Sequence, residues 1–359
     1  MPRCARRLLL AMVLGIVSRP AGSIAWAQES LTLRSDVLLY GDNTEFRNPF
    51  REGETLFGAA ARVFLDIDLN PRVTLSLGGF GNQRFGSDSA FEIARPVIAM
   101  TVHGRRSTFT FGTLPARGVD TAIGPDRGGP HALLPPLQRE TLAFERPYEA
   151  GLQWDVRGAR LAHSVWLEWQ QLNTPEHRER FDGGAEARIA AGKGFAVPFQ
   201  AHVVHEGGQL FAAGPVRDSA AIAAGLAYAR ATRGTVFTME GFALAATSVP
   251  DRQQDALDRR GRAFFARAAA ERGGWRAHAI AWRGRTFVKD EGDPNYLSLQ
   301  RDGHVYGGIR DYAEAGVSRR FTLAPGAVVE VSGRLHRTER HYEYSYRVLS
   351  IAALNWKLR

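Results

Sequence analysis

The sequence predicts an all-β protein: a single antiparallel transmembrane β-barrel of about 16 strands (range 14–18), with short periplasmic turns and long extracellular loops. Three observations carry this. From residue 31 onward, apolar and polar residues alternate with period two over stretches of about ten residues, the length a tilted strand needs to cross a bilayer. These stretches are separated in strict turn by a short Gly-, Asn- or Pro-containing turn and by a longer polar loop, one hairpin rhythm repeated. No apolar run reaches a helix-spanning length and mean hydropathy is -0.24, so helical spans are excluded while strand spans are not. With 44% hydrophobic and 23% charged residues, the chain is too apolar to be disordered.

The first element is an export signal. Arg3, Arg6 and Arg7 precede the apolar residues 8–17, and Ala25, Trp26 and Ala27 supply a small-x-small cleavage pattern. A cleaved signal peptide over 1–27 and a barrel over 28–359 are therefore expected. The single cysteine, Cys4, falls within the signal, which leaves the exported chain without disulfides or thiol-bound metal. That chain keeps 42 basic against 37 acidic residues, about +5, with no basic run interleaved with aromatics, so nucleic acid is not an expected partner.

Along the barrel, residues 56–69 show the pattern. Phe57, Ala59, Ala61, Val63, Leu65, Ile67 and Leu69 share one face, and Gly58, Ala60, Arg62, Asp66 and Asp68 share the other. Tight turns are predicted at 70–71, 104–106, 157–159, 192–194, 233–234, 272–274 and 323–326. Longer connections are predicted at 42–54, 83–91, 115–147, 173–183, 206–219, 247–261, 285–308 and 336–341. Seven turns and eight loops give sixteen strands, from 31–40 to 342–358, with both ends at the turn side. Residues 185–191 and 256–272 are rich in Ala, Arg and Glu, and propensity alone would make them helix; the barrel rhythm makes them strands. Arg262 falls on an outward row, where a mid-membrane arginine costs about 2–4 kcal/mol, so it must lie near the interface or the register slips. Trp154, Phe195, Trp275, Phe321 and Trp356 mark one aromatic girdle, and Trp169, Tyr342, Tyr344 and Tyr346 the other. A secreted soluble sandwich would explain the signal and the alternation, but not the length of the runs or the short-turn, long-loop order.

The signal, the sixteen strands, the periplasmic termini and the longest loop directly after strand five resemble those of Gram-negative outer-membrane porins. The resemblance implies an outer-membrane location and a passive channel for small hydrophilic solutes, with loop 115–147 folded inward as a constriction. On that loop it draws attention to Arg117, Asp120, Asp126, Arg127, Arg139 and Glu140, and in porins acids there, here Asp120 and Asp126, oppose basic groups on the wall, here Arg34, Arg62 and Arg95. The chain departs from the porin pattern in lacking a Pro-Glu-Phe-Gly-Gly stretch and in ending on Trp356, Lys357, Leu358 and Arg359.

Taking the polar rows as lumenal, the expected pore lining is Arg34, Arg62, Arg95, Arg188, Arg267, Arg310, Arg334 and Arg347, with Arg230 and Arg276 on the same rows. Against them stand Asp36, Asp66, Glu186, Glu240, Glu314 and Glu330. The arginine excess favours anions such as sugar acids, unless cross-strand pairing neutralises the wall. A polysaccharide conduit of the alginate-export type is similar in its arginine lining and stays open as an alternative. The rival from another class is an outer-membrane lipid-modifying enzyme, which would need a Ser/His/acid constellation facing lipid. His163 and Ser164 are adjacent on a strand and point to opposite faces, so no enzyme activity is expected.

His336, Glu339 and His341 lack the helical spacing of zinc proteases, and no cofactor or resident metal is expected. Asp290, Glu291, Asp293 and Asn295 leave calcium in an outer loop open. Expected partners are outer-membrane lipid and lipopolysaccharide, the barrel-assembly machinery, small anionic solutes or acidic saccharides, and further copies of the chain.

Overall fold

The computed structural model describes residues 30–115, 131–208, 210–211 and 214–358. The predicted signal peptide lies outside these residues. Sixteen antiparallel strands close into one barrel, each hydrogen-bonded to its chain neighbours and the first to the last. They are β1 (Leu31–Arg47), β2 (Glu52–Asn70), β3 (Val73–Arg84), β4 (Ile93–His103), β5 (Ser107–Thr113), β6 (Ala150–Arg157), β7 (Leu161–Gln171) and β8 (Glu179–Gly192). The second half comprises β9 (Phe195–Gly207), β10 (Arg217–Thr232), β11 (Thr235–Val249), β12 (Arg259–Arg272), β13 (Trp275–Arg285), β14 (Ile309–Ala324), β15 (Ala327–Thr338) and β16 (His341–Lys357). Closure satisfies every ladder without leaving an edge in lipid.

All seven tight turns fall where the sequence predicts them; the helix-prone segment 185–191 lies in β8, and of 256–272 residues 259–272 form β12 while Asp255–Leu257 make a 3-10 turn. Several strands run longer than expected. β1 continues through Asp42, Thr44 and Phe46, which are buried on the inner face, so the 42–54 connection shrinks to 48–51. Above the hydrocarbon the outer row needs no apolar residues, and the ladder continues through polar sequence. Arg262 is exposed near the loop end of β12, opposite Arg285, the last strand pair before the 286–308 connection. Arg230 is a correction: Ser219, Ala221, Ala223 and Ala227 form the buried row of β10, which turns Arg230 outward beside exposed Phe237. All nine girdle aromatics are exposed on the outer wall.

The inner face packs differently at its two ends. Towards the loops, residues 131–149 and 286–299 fold inward and build an apolar core with the wall. Leu133, Leu134, Leu137, Phe287 and Tyr296 meet Trp166, Phe242, Phe265, Trp282 and Tyr312. A short helix, α1 (Leu142–Glu145), stacks Phe144 on Tyr40 of β1 with ring centroids 4.9 Å apart. Burying such rings stabilises the inward loops by roughly 1.5–3 kcal/mol each. Towards the turns, β1 to β5 instead enclose a cavity of about 340 Å³ lined by Arg34, Arg62, Asp66, Ser76, His103 and Thr110.

Candidate functional site

Three arrangements bring chemistry-bearing groups together. The first is a buried ionic network between the inward loop and the wall. Arg347 of β16 grips Asp42 of β1 with two hydrogen bonds, at 3.0 and 2.9 Å. Glu140, just before α1, accepts from Arg334 at 2.5 Å and from Arg347 at 3.1 Å. Below it, Glu314 accepts from Tyr312 at 2.7 Å and lies 2.8 Å from His278 Nε2. Paired this way, the charges lock the loop to β15 and β16.

The second arrangement lies across the lumen. Asp182 of β8, His202 of β9 and Glu291 of the 286–308 connection bring one ligand atom each within 4.8 Å of one another. Gln170 donates to Asp182 at 3.0 Å, while Arg146 and Arg180 reach the other oxygen of Glu291 at 2.8 and 3.1 Å. Lys289, buried two residues earlier, has its ammonium pushed down to about 8 by desolvation.

The third is on the outer wall at the loop rim. Trp169, Phe181, His205 and Asp218 stand in cross-strand register on the lipid-facing rows of β7, β8, β9 and β10. His205 Nδ1 lies 2.8 Å from an Asp218 oxygen, and Phe181 lies against the imidazole with centroids 4.7 Å apart. Arg252 donates twice to the same carboxylate, at 2.5 and 3.0 Å. With Nδ1–H directed at Asp218, Nε2 carries the free lone pair, the arrangement of a general base held by an acid. His163 and Ser164 diverge as expected: Ser164 is buried in the lumen and His163 sits edge-on to Trp154 outside.

The expected pore-lining residues divide into groups. All eight lie on inward rows. Arg34 borders the turn-side cavity and pairs with Asp66 at 2.5 Å, while Arg62 donates to the Leu114 carbonyl at 2.9 Å. Arg95 faces inward opposite Phe80. Arg188 and Arg267 converge on Glu240, at 3.0 and 2.6 Å. Arg310, Arg334 and Arg347 are corrections to a water-facing lining, because the inward loops cover them. Arg310 is fully buried, its guanidinium 3.2 Å from the Phe50 ring centroid and donating to the carbonyls of Leu297 and Asn295.

On the constriction loop, Arg117, Asp120, Asp126 and Arg127 lie outside the described residues. Arg139 pairs locally with Glu145. Among the described residues of the loop, Glu140 meets wall arginines, Arg334 and Arg347. The four candidate calcium residues do not converge: Asp293 pairs with Arg51 at 2.8 Å, and Glu291 joins Asp182 and His202. Sequence reasoning missed Asp182, His202, His205 and Asp218. His205 and Asp218 carried one available signal, a histidine and an acid on outward rows at facing strand ends.

A closed sixteen-stranded antiparallel barrel with aromatic rims and inward loops defines an outer-membrane barrel of the porin type. Its fold is similar to those of OccK8 (OprE) of Pseudomonas aeruginosa (12% identity, TM-score 0.52, 91% of this chain and 98% of that one) and the anion-selective porin of Comamonas acidovorans (10%, 0.53, 91% and 100%). It is similar too to a loop-deletion form of OmpT of Vibrio cholerae (8%, 0.55, 91% and 100%). At these identities the likeness concerns the fold alone. No curated protein matches. The lipid A 3'-O-deacylase-type family model matches residues 23–357, and the chain belongs to that family. This overturns the expectation of a protein without enzymatic character. That expectation rested on His163 and Ser164, which test one local pair and say nothing of pairs assembled across strands.

Proposed function

We propose that this barrel hydrolyses an acyl ester of lipid A in the outer leaflet, using His205 as the base. The observation that carries the reading is the His205 and Asp218 pair on the lipid-facing row of the loop-side girdle, the depth at which headgroups give way to acyl chains. In this reading Nε2 of His205 takes a proton from water as the water oxygen attacks the ester carbonyl. Asp218 stabilises the imidazolium, which returns the proton to the leaving sugar oxygen as the acyl C–O bond breaks. Further along the same wall, towards the turns, a shallow apolar groove of about 650 Å³ between Leu226, Met239, Gly241, Ala266 and Ala268 offers a bed for an acyl chain.

Mass spectrometry of lipid A from cells expressing the protein tests this. Loss of one acyl chain is expected, reduced a hundredfold or more in His205→Gln and strongly in Asp218→Asn. Full deacylation by the folded His205→Gln barrel would remove His205 from the reaction.

A second reading, conduction of small anions, is supported by the turn-side cavity and the inward arginines. Pairing of Arg34, Arg188 and Arg267 with acids reduces the net field of the wall. The reversal potential across a planar bilayer under a salt gradient tests it: an anion-selective potential supports the reading, and a cation-selective one refutes it.

A further inference from the structure

We infer that Asp182, His202 and Glu291 form a binding site for a divalent transition-metal ion of the zinc type inside the barrel, tying the inward 286–308 connection to the wall. Three observations converge. First, the donor set is mixed: two carboxylates and one imidazole, each offering one atom within 4.8 Å of the others. His202 Nε2 lies 3.6 Å from Asp182 Oδ2 and 4.0 Å from Glu291 Oε2. These separations are close to the edges of a tetrahedron whose centre lies about 2.0–2.2 Å from each ligand atom.

Second, each of the three side chains keeps a buried polar atom without a partner. His202 is fully buried, and its Nε2, Asp182 Oδ1 and Glu291 Oε2 are buried without a hydrogen bond. A buried acceptor left unmatched costs about 1–3 kcal/mol, more when charged, and a cation between these side chains would satisfy all three at once.

Third, the remaining atoms of the same side chains are held. His202 Nδ1 lies 3.1 Å from the Leu137 carbonyl and donates to it, which fixes the tautomer that leaves Nε2 as the lone-pair donor. Gln170 donates to Asp182 Oδ2 and Glu291 Oε1, at 3.0 and 3.3 Å, and Arg146 and Arg180 hold Glu291 Oε1. Ligands supported in this way by outer hydrogen bonds are pre-oriented for a metal. The imidazole and the low ligand count select a zinc-type ion against calcium, which takes six to eight oxygens.

The ligands come from two wall strands and one inward connection, and the imidazole is oriented by a carbonyl of the other inward segment, so the ion would act as a latch. Because the site is covered, the test loads metal during refolding. Protein refolded in detergent with zinc, or with calcium, is passed through a desalting column and its metal content measured. Thermal unfolding is followed with and without chelator.

The expected result is one zinc per chain, no retained calcium, and a midpoint that falls on chelation. Asp182→Asn and Glu291→Gln should each lower zinc retention at least tenfold. Glu291→Gln lies in a loop, so it keeps the test valid if the strand variant does not fold. A folded, heat-modifiable wild type that retains no zinc would overturn the inference, as would retention that is undiminished in both variants.

Discussion

Among single residues, Glu140 has the clearest energetic role. It is buried against two arginines, and Glu140→Ala leaves Arg334 and Arg347 short of countercharge in a low-dielectric setting. A loss of about 3–5 kcal/mol is expected from urea unfolding in micelles, and a loss under 1 kcal/mol would mean that the network relaxes around the gap. Lys289 gives a pH signature. Its pKa near 8 in the fold lies below the ordinary lysine value, so the unfolded chain binds the extra proton between about pH 8 and 10.5. Stability therefore rises with pH across that window, by up to about 3 kcal/mol from this group. The wild-type unfolding midpoint should climb from pH 8 to 10 relative to that of Lys289→Met, and parallel profiles would count against a depressed ammonium. None of these partnerships was legible in the sequence. Asp42 and Arg347 lie 305 positions apart, and only barrel closure makes them neighbours. Side-chain parity was legible almost throughout and failed at Arg230, because an alanine-rich strand such as β10 hides which of its rows faces inward.

For the elements, glycine, proline and asparagine gave the tight turns away, since short hairpin loops need the backbone shapes those residues favour. Loop boundaries were harder to read, because extended strands above the membrane carry polar residues on both rows. Gly112 shows one local requirement: its φ is +111°, and a Cβ there would lie 2.2 Å from the Ile98 carbonyl oxygen. The inward fold of 286–308 was not legible, because its aromatic anchors Phe287 and Tyr296 sit among charged neighbours. Asp293 holds this connection by two bonds to Arg51 and by accepting from the Asn295 amide. Asp293→Ala should free the segment, and limited proteolysis should cut within 286–308 at least several times faster than in wild type. An unchanged rate would show that the apolar anchors suffice.

The whole molecule combines a porin-type barrel with a loop-side lumen in which described residues pack as a protein core. Deleting 288–298 removes Tyr296 and Leu297 from that core and should raise unit conductance in planar bilayers. Unchanged conductance would assign the resistance to another segment. The ester hydrolysis proposed for this barrel is placed instead at the lipid-facing rim, at the outward His205 and Asp218 pair. The most direct measurement incubates the refolded barrel with lipid A in water enriched in oxygen-18 and follows the released fatty acid by mass spectrometry. Ester hydrolysis with His205 as the base gives a free fatty acid carrying one heavy oxygen in its carboxyl group and lipid A lighter by that acyl chain, with neither formed by His205→Gln. Intact lipid A after exposure to a folded, heat-modifiable barrel would contradict it.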